Sequence, residues 1–197
     1  MATVFVNTAI KFFFLLTPFF VLSTFLAMSR EMGEPERRRL AVHVFFAIVG
    51  VCLTLFLAGN SIFGVLGITL DAFRIGTGVL LLLSAISLVQ DREVNAAPSS
   101  GESIAVVPLA IPVTVGPATT GALLVSSVEI AGVAERVVHV LAIVSAIAAV
   151  GTLLYLGTYI ERVVGRYGIT ILRKLTGLVL ASLAAQMAMV GVKGFFP

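Results

Sequence analysis

Residues 104–127 read IAVVPLAIPVTVGPATTGALLVSS. The stretch is apolar enough to lie in a bilayer, yet it carries Pro108, Pro112 and Pro117 together with Gly116 and Gly121. Proline inside a helix removes a backbone donor and clashes with the preceding turn. In lipid the freed carbonyls cannot turn to water, so such a break survives only where protein or a wet cavity satisfies it. The stretch therefore predicts a broken membrane helix that faces inward. It would offer loose carbonyls and a new helix N-terminus just after Gly116-Pro117. The free N–H groups and partial positive charge of that N-terminus favour a carboxylate or another anion.

The rest of the chain fits that reading. Of its 197 residues, 59% are hydrophobic and 12% charged, and the mean hydropathy is +1.12. Soluble domains carry about a quarter charged residues, so a soluble domain is excluded. Several runs approach the roughly 18 to 20 apolar residues that cross a hydrocarbon core. The formal charge of +3 is small, and arginine beside membrane spans reports orientation and not nucleic-acid binding. Cys52, the single cysteine, lies in an apolar run, which leaves no disulfide framework and no cysteine metal site. Lys11 precedes a long apolar run with no small-residue cleavage site, so the first span is expected to persist in the mature protein.

Six spans are predicted, at about 12–28, 40–58, 75–89, 104–127, 137–159 and 175–192. A charged loop, 30–39, separates the first two. A polar segment, DREVNAAPSSGES at 91–103, reads as a cytoplasmic linker. It divides the chain into a three-helix repeat at 1–90 and a second at 104–197. Loops after the first, third and fifth spans hold Arg30, Arg37, Arg38, Arg39, Arg92, Arg162, Arg166, Arg173 and Lys174, nine of the thirteen basic residues. The opposite side has Lys11, Arg74, Arg136 and Lys193. The positive-inside bias places the first set in the cytoplasm and both termini outside.

The halves also match in order. Thr17-Pro18 aligns with Gly116-Pro117, His43 with His139, Gly67-Ile68-Thr69 with Gly168-Ile169-Thr170, and Thr77-Gly78 with Thr176-Gly177. Three spans per half force the second half to enter the membrane upside down. Matched interruptions in inverted repeats point to a substrate site near the midplane. The expected fold is an all-α membrane protein of six helices in two inverted three-helix repeats, with the first and fourth helices broken.

Candidate site residues follow from the breaks. Thr17, Pro18, Thr114, Gly116, Pro117, Thr119 and Thr120 are expected around a substrate, through hydroxyls, carbonyls and helix-end N–H groups. Serine and threonine hydroxyls can equally bond a carbonyl one turn back or join neighbouring helices. Gly76, Gly78, Gly177 and Ala181 read as close-packing positions. His43 and His139 are candidates for proton coupling. Each opens a span, near water, where a plain interfacial role suits them equally. Asp71 and Arg74 have the i, i+3 spacing of a helical ion pair, with a gate as the sharper reading. Gln186 is a long polar side chain deep in the last span and is expected to bond within the bundle. No catalytic motif such as HExxH or GxSxG occurs, and no cofactor or metal is predicted.

Ile111-Pro112 followed by Thr114-Val115-Gly116-Pro117, Gly67-Ile68-Thr69 with Phe73-Arg74-Ile75-Gly76-Thr77-Gly78, and Glu36-Arg37-Arg38 resemble the MarC family of six-span membrane proteins over nearly the whole chain. The resemblance implies a secondary transporter in the cell (inner) membrane for small neutral amino acids such as glycine and alanine. Export of drugs or other metabolites, or a non-transporting scaffold, are the alternatives. The family's first span usually reads Asn-Pro-Xaa-Gly, and here it reads Thr17-Pro18-Phe19-Phe20. The lipid bilayer and a small-molecule substrate are the expected partners, and small-residue faces on the third and sixth spans allow a homo-oligomer.

Overall fold

A computed structural model describes residues 1–90, 114–130 and 132–196. Seven helices make up these residues: α1 Ala2–Leu15, α2 Pro18–Met28, α3 Glu34–Leu66, α4 Leu70–Val89, α5 Pro117–Glu129, α6 Val133–Tyr155 and α7 Gly157–Phe195. Helices α3 (over Glu34–Gly59), α4, α6 and α7 are each long and apolar enough to cross a membrane, and α1 with α2 makes a fifth span bent by 41°. The expected fourth span is described only from Thr114 onward. Among its described residues the helix is α5, with 13 residues, which spans roughly 20 Å, short of a hydrocarbon core of about 30 Å. The described residues therefore do not reach six spans. Pro108, Pro112 and the 91–103 linker lie outside them.

Boundaries moved where local chemistry overrode hydropathy. The charged stretch 30–39, expected as a loop, is helical from Glu34, with Pro35 in the first turn and Glu34 and Glu36 facing the free N–H groups. The third span begins at Leu70 and not near residue 75, because the Thr69 hydroxyl accepts the Ala72 N–H at 3.3 Å. Gly67, at φ 62°, ends α3 just before it. The sixth span belongs to a helix that begins at Gly157 and is interrupted at Gly165, at φ 70°. The expected match between Gly67-Ile68-Thr69 and Gly168-Ile169-Thr170 is therefore not kept. The second half turns at Gly165, and residues 168–170 are helical.

The broken elements form the centre. Nine of the thirteen α5 residues are buried, as are Leu15, Val21, Leu22 and Phe25 of α1 and α2 and Leu16 between them. Large apolar side chains such as Phe46, Leu57, Leu83 and Leu178 point outward. That is the distribution expected where lipid is the solvent.

Helices α4 and α7 pack antiparallel through glycine. A Cβ at Gly78 would lie 2.9 Å from the Ala184 carbonyl oxygen and 2.8 Å from Ala188 Cβ. A Cβ at Gly177 would lie 3.0 Å from the Ala85 oxygen and 2.9 Å from Val89 Cγ2. The contact is reciprocal: 78 and 177, 85 and 184, and 89 and 188 are each 99 positions apart. Gly76, expected to pack closely, does not, since a Cβ there meets nothing within 4 Å. The period of the helix turns it away from the seam that Gly78 occupies.

The two ends of the bundle differ. At one end Arg37 Nη1 donates to Thr158 Oγ1 at 2.7 Å, joining the starts of α3 and α7, and Arg38 lies over the Tyr155 ring. At the other, Gly191 and Gly194 near the C-terminus abut Asp71. The segments after the first and fifth spans thus share the arginine-rich end, as the sequence predicts.

Candidate functional site

The first break is built from Thr17-Pro18. Pro18 has no N–H, so the Phe14 carbonyl takes the Thr17 N–H instead, at 3.0 Å. Thr17 is driven to φ 46° and ψ 57°, and its own carbonyl then accepts from both Phe20 and Val21. The Leu15 carbonyl loses its place in the ladder. It is met from across the bundle, where the buried Thr119 hydroxyl donates to it at 3.0 Å. Thr119 lies in the first turn of α5, immediately after the second break. The two interruptions are thus joined side chain to backbone.

The second break presents a helix start without a side-chain cap. Gly116 is the N-cap, extended at φ −77° and ψ 177°, and Pro117 occupies the first turn. The Gly116 carbonyl accepts the Thr120 N–H at 2.9 Å. Thr114 and Pro18 are buried, Thr17, Gly116 and Thr120 are half-buried, and Pro117 is exposed. The structure places Thr119 against the first break and sets Thr17, Pro18, Thr114, Gly116 and Thr120 along the two interrupted segments.

The other candidates lie away from the crossing. His43 Nδ1 is 2.8 Å from the Arg39 carbonyl, and His139 Nδ1 is 2.9 Å from the Glu135 carbonyl. Each ring thus bonds its own helix one turn back. Asp71 and Arg74 form the expected pair at 2.7 Å. Sequence reasoning missed the third member, Glu129, which holds Arg74 from α5 at 2.7 Å. The available signal was an acidic residue one helix-length after Gly116-Pro117. Gln186 is exposed and borders a cavity.

Cavities flank the crossing on both sides. One, of about 220 Å³, is lined by Lys11, Arg74, Val125, Glu129, Gln186 and Met187 among others. The other, of about 390 Å³, includes Ser23, Leu26, Arg30, Arg37, Arg166 and Arg173. Along α7, Arg173 and Met187 are fourteen residues apart, roughly 21 Å of helix, so the cavities open at opposite ends. Leu15, Thr119, Leu22 and Leu123 are packed and buried between them.

The sequence profile of the MarC family integral membrane proteins matches residues 2–196. The chain belongs to the MarC family. Relatives include a UPF0056 membrane protein of Methanocaldococcus jannaschii, 32% identical over 191 residues that cover 92% of each chain. A UPF0056 membrane protein of Aquifex aeolicus is 30% identical, covering 96% of this chain and 92% of its own. One from Escherichia coli is 27% identical, covering 95% and 91%. No solved structure matches. This MarC protein is thus an integral, multi-pass membrane protein in which the bend between α1 and α2 meets the start of α5.

Proposed function

We propose that this MarC protein is a secondary transporter of small neutral amino acids, of the size of glycine and alanine. It would work by alternating access around the meeting point of the two broken helices. The observation that carries the reading is the Thr119–Leu15 bond, which closes the gap between the breaks while a cavity stands open on either side. The reciprocal Gly78 and Gly177 seam supports an inverted pairing of the halves, the arrangement that lets one half rock against the other. The arginine-rich end is read as cytoplasmic, with both termini outside.

The chemistry of the site suits a zwitterion. When the latch opens, the Leu15 carbonyl is freed to accept from a substrate ammonium. The uncapped N–H groups of Ala118 and Thr119 face the carboxylate with the helix dipole behind them. Thr120 and Thr114 would add hydroxyl contacts. The preference for small side chains rests on the family resemblance and on the tight packing of Leu22, Phe25 and Leu123.

The test is uptake of labelled glycine and alanine into proteoliposomes, paired with ligand-induced thermal stabilisation of the purified protein. Both signals should appear in the parent and be lost in Gly116→Leu and Thr120→Val. Folded variants that keep full flux would move the site elsewhere. No flux or stabilisation in the parent with any amino acid would sink the reading and favour a metabolite exporter or a scaffold.

A further inference from the structure

We infer that the arginine-lined cavity is a binding site for a phosphate-bearing anion, separate from the crossing of the broken helices. Its described lining carries Arg30, Arg37, Arg166 and Arg173 against the single carboxylate Glu161. Four cations less one anion leave +3 around about 390 Å³. A multiply charged oxyanion matches that balance better than a monocarboxylate, and guanidinium forks fit phosphate oxygens two at a time.

The cavity at the other end carries a different charge at the matched positions. Positions 74 and 173, 26 and 125, and 30 and 129 are each separated by 99, the interval of the Gly78–Gly177 seam. Arg74, Val125 and Glu129 line one cavity, and Arg173, Leu26 and Arg30 line the other. In the first, Arg74 is held between Asp71 and Glu129. In the second, the corresponding positions are Thr170 and Arg30, so two carboxylates have become a hydroxyl and a guanidinium.

Two of the cations, Arg173 and Arg37, are also held in place. Arg173 is only 8% exposed, and its guanidinium lies 5.2 Å from the Phe20 ring centre. Arg37 is fixed by Thr158 Oγ1 and by the Ser29 and Met32 carbonyls. Its buried Nε–H has no hydrogen-bond acceptor among the described residues. Arg166 bonds Glu161 at 3.1 Å from an exposed position, where it can turn to an arriving anion. Ser23 adds a hydroxyl donor, the Thr170 hydroxyl donates to the Arg166 carbonyl at 3.1 Å, and Leu26, Ala27 and Ile169 form an apolar wall. The same chemistry would take a free phosphate group or the phosphodiester of an anionic lipid headgroup.

The experiment measures thermal unfolding of the delipidated protein in detergent, with inorganic phosphate titrated against chloride at equal ionic strength. A second arm compares nanodiscs of phosphatidylcholine with nanodiscs containing phosphatidylglycerol. Stabilisation by phosphate in detergent identifies a soluble phosphate site, and stabilisation confined to phosphatidylglycerol identifies a headgroup site. In either case Arg166→Gln and Arg173→Gln should weaken the effect on the order of tenfold, the loss of one charge-assisted hydrogen bond. Arg39→Gln, exposed and outside the cavity, should leave it unchanged. No stabilisation beyond chloride and phosphatidylcholine, or an equal loss in Arg39→Gln, would overturn the inference. Because the readout is binding and not flux, it stands or falls apart from the transport reading.

Discussion

The Thr119 hydroxyl donates to the Leu15 carbonyl at 3.0 Å, from one broken helix to the other, across 104 positions of chain. Both groups are buried, and the Leu15 carbonyl lies at the Thr17-Pro18 break, outside the helical ladder. Replacing Thr119 with valine keeps the shape and removes the donor. The carbonyl then stays buried without a partner, which costs about 1–3 kcal/mol. Thr119→Ser should retain most of the stability. Chemical or thermal unfolding in detergent checks both, and equal stability of the valine and serine variants would show that the bond contributes nothing.

The glycine seam between α4 and α7 makes a sharper contrast. Gly78→Ala and Gly177→Ala each drive a methyl against a backbone carbonyl, at 2.9 and 3.0 Å, and backbone cannot swing aside. Each should lose about 1–3 kcal/mol through overpacking. Gly76→Ala, two residues away on an open face, should instead gain up to about 1 kcal/mol from helix propensity. Melting temperatures of the three variants side by side would decide the matter.

Thr17 adopts a left-handed backbone at φ 46°. A β-branched residue is a poor occupant of that region, at about 1–2 kcal/mol. Asparagine, usual in the family at this place, tolerates it well. The asparagine expected from the resemblance as a polar group in the first span therefore also has a conformational reason to be there. Thr17→Asn should raise stability by about 1 kcal/mol, measured as a shift in the unfolding midpoint. A fall would mean that the threonine side chain makes a compensating contact.

Hydropathy and proline made the broken helices legible, because both signals are local. The Pro18 interruption and the helix start at Pro117 fell where the sequence placed them. Helix limits were less legible. Caps such as Gly33 and Thr69 act through single hydrogen bonds that hydropathy does not register, and charged first turns such as Glu34 to Arg39 look like loops. The matching of the halves was legible at Gly78 and Gly177, which do pack on each other's helices, while Thr77 packs against Gly121 of α5. It was misleading at Gly168, because the turn depends on a positive φ that Gly165 supplies instead. The Thr119–Leu15 bond was out of reach, and Glu129 was visible as an acidic residue but not its partner. Each contact joins residues far apart in the chain whose proximity only packing decides.

Arg74 ties α4 to α5 through two carboxylates, Asp71 at 2.7 Å and Glu129 at 2.7 Å. The Asp71 bond stays within one helix and can survive any motion of α5. The Glu129 bond crosses between elements and must break if α5 moves relative to α4. Its side chains are 18% and 39% exposed, so solvent screening keeps the pair weak, at about 0.5–1 kcal/mol. A double-mutant cycle with Arg74→Gln and Glu129→Gln should return a coupling of that size, falling as salt is raised. If the pair holds the cavity at this end in one arrangement, Glu129→Gln should also change the rate of the proposed amino-acid flux with little change in stability. An altered rate with a coupling near zero would assign Glu129 to the permeating solute and not to Arg74.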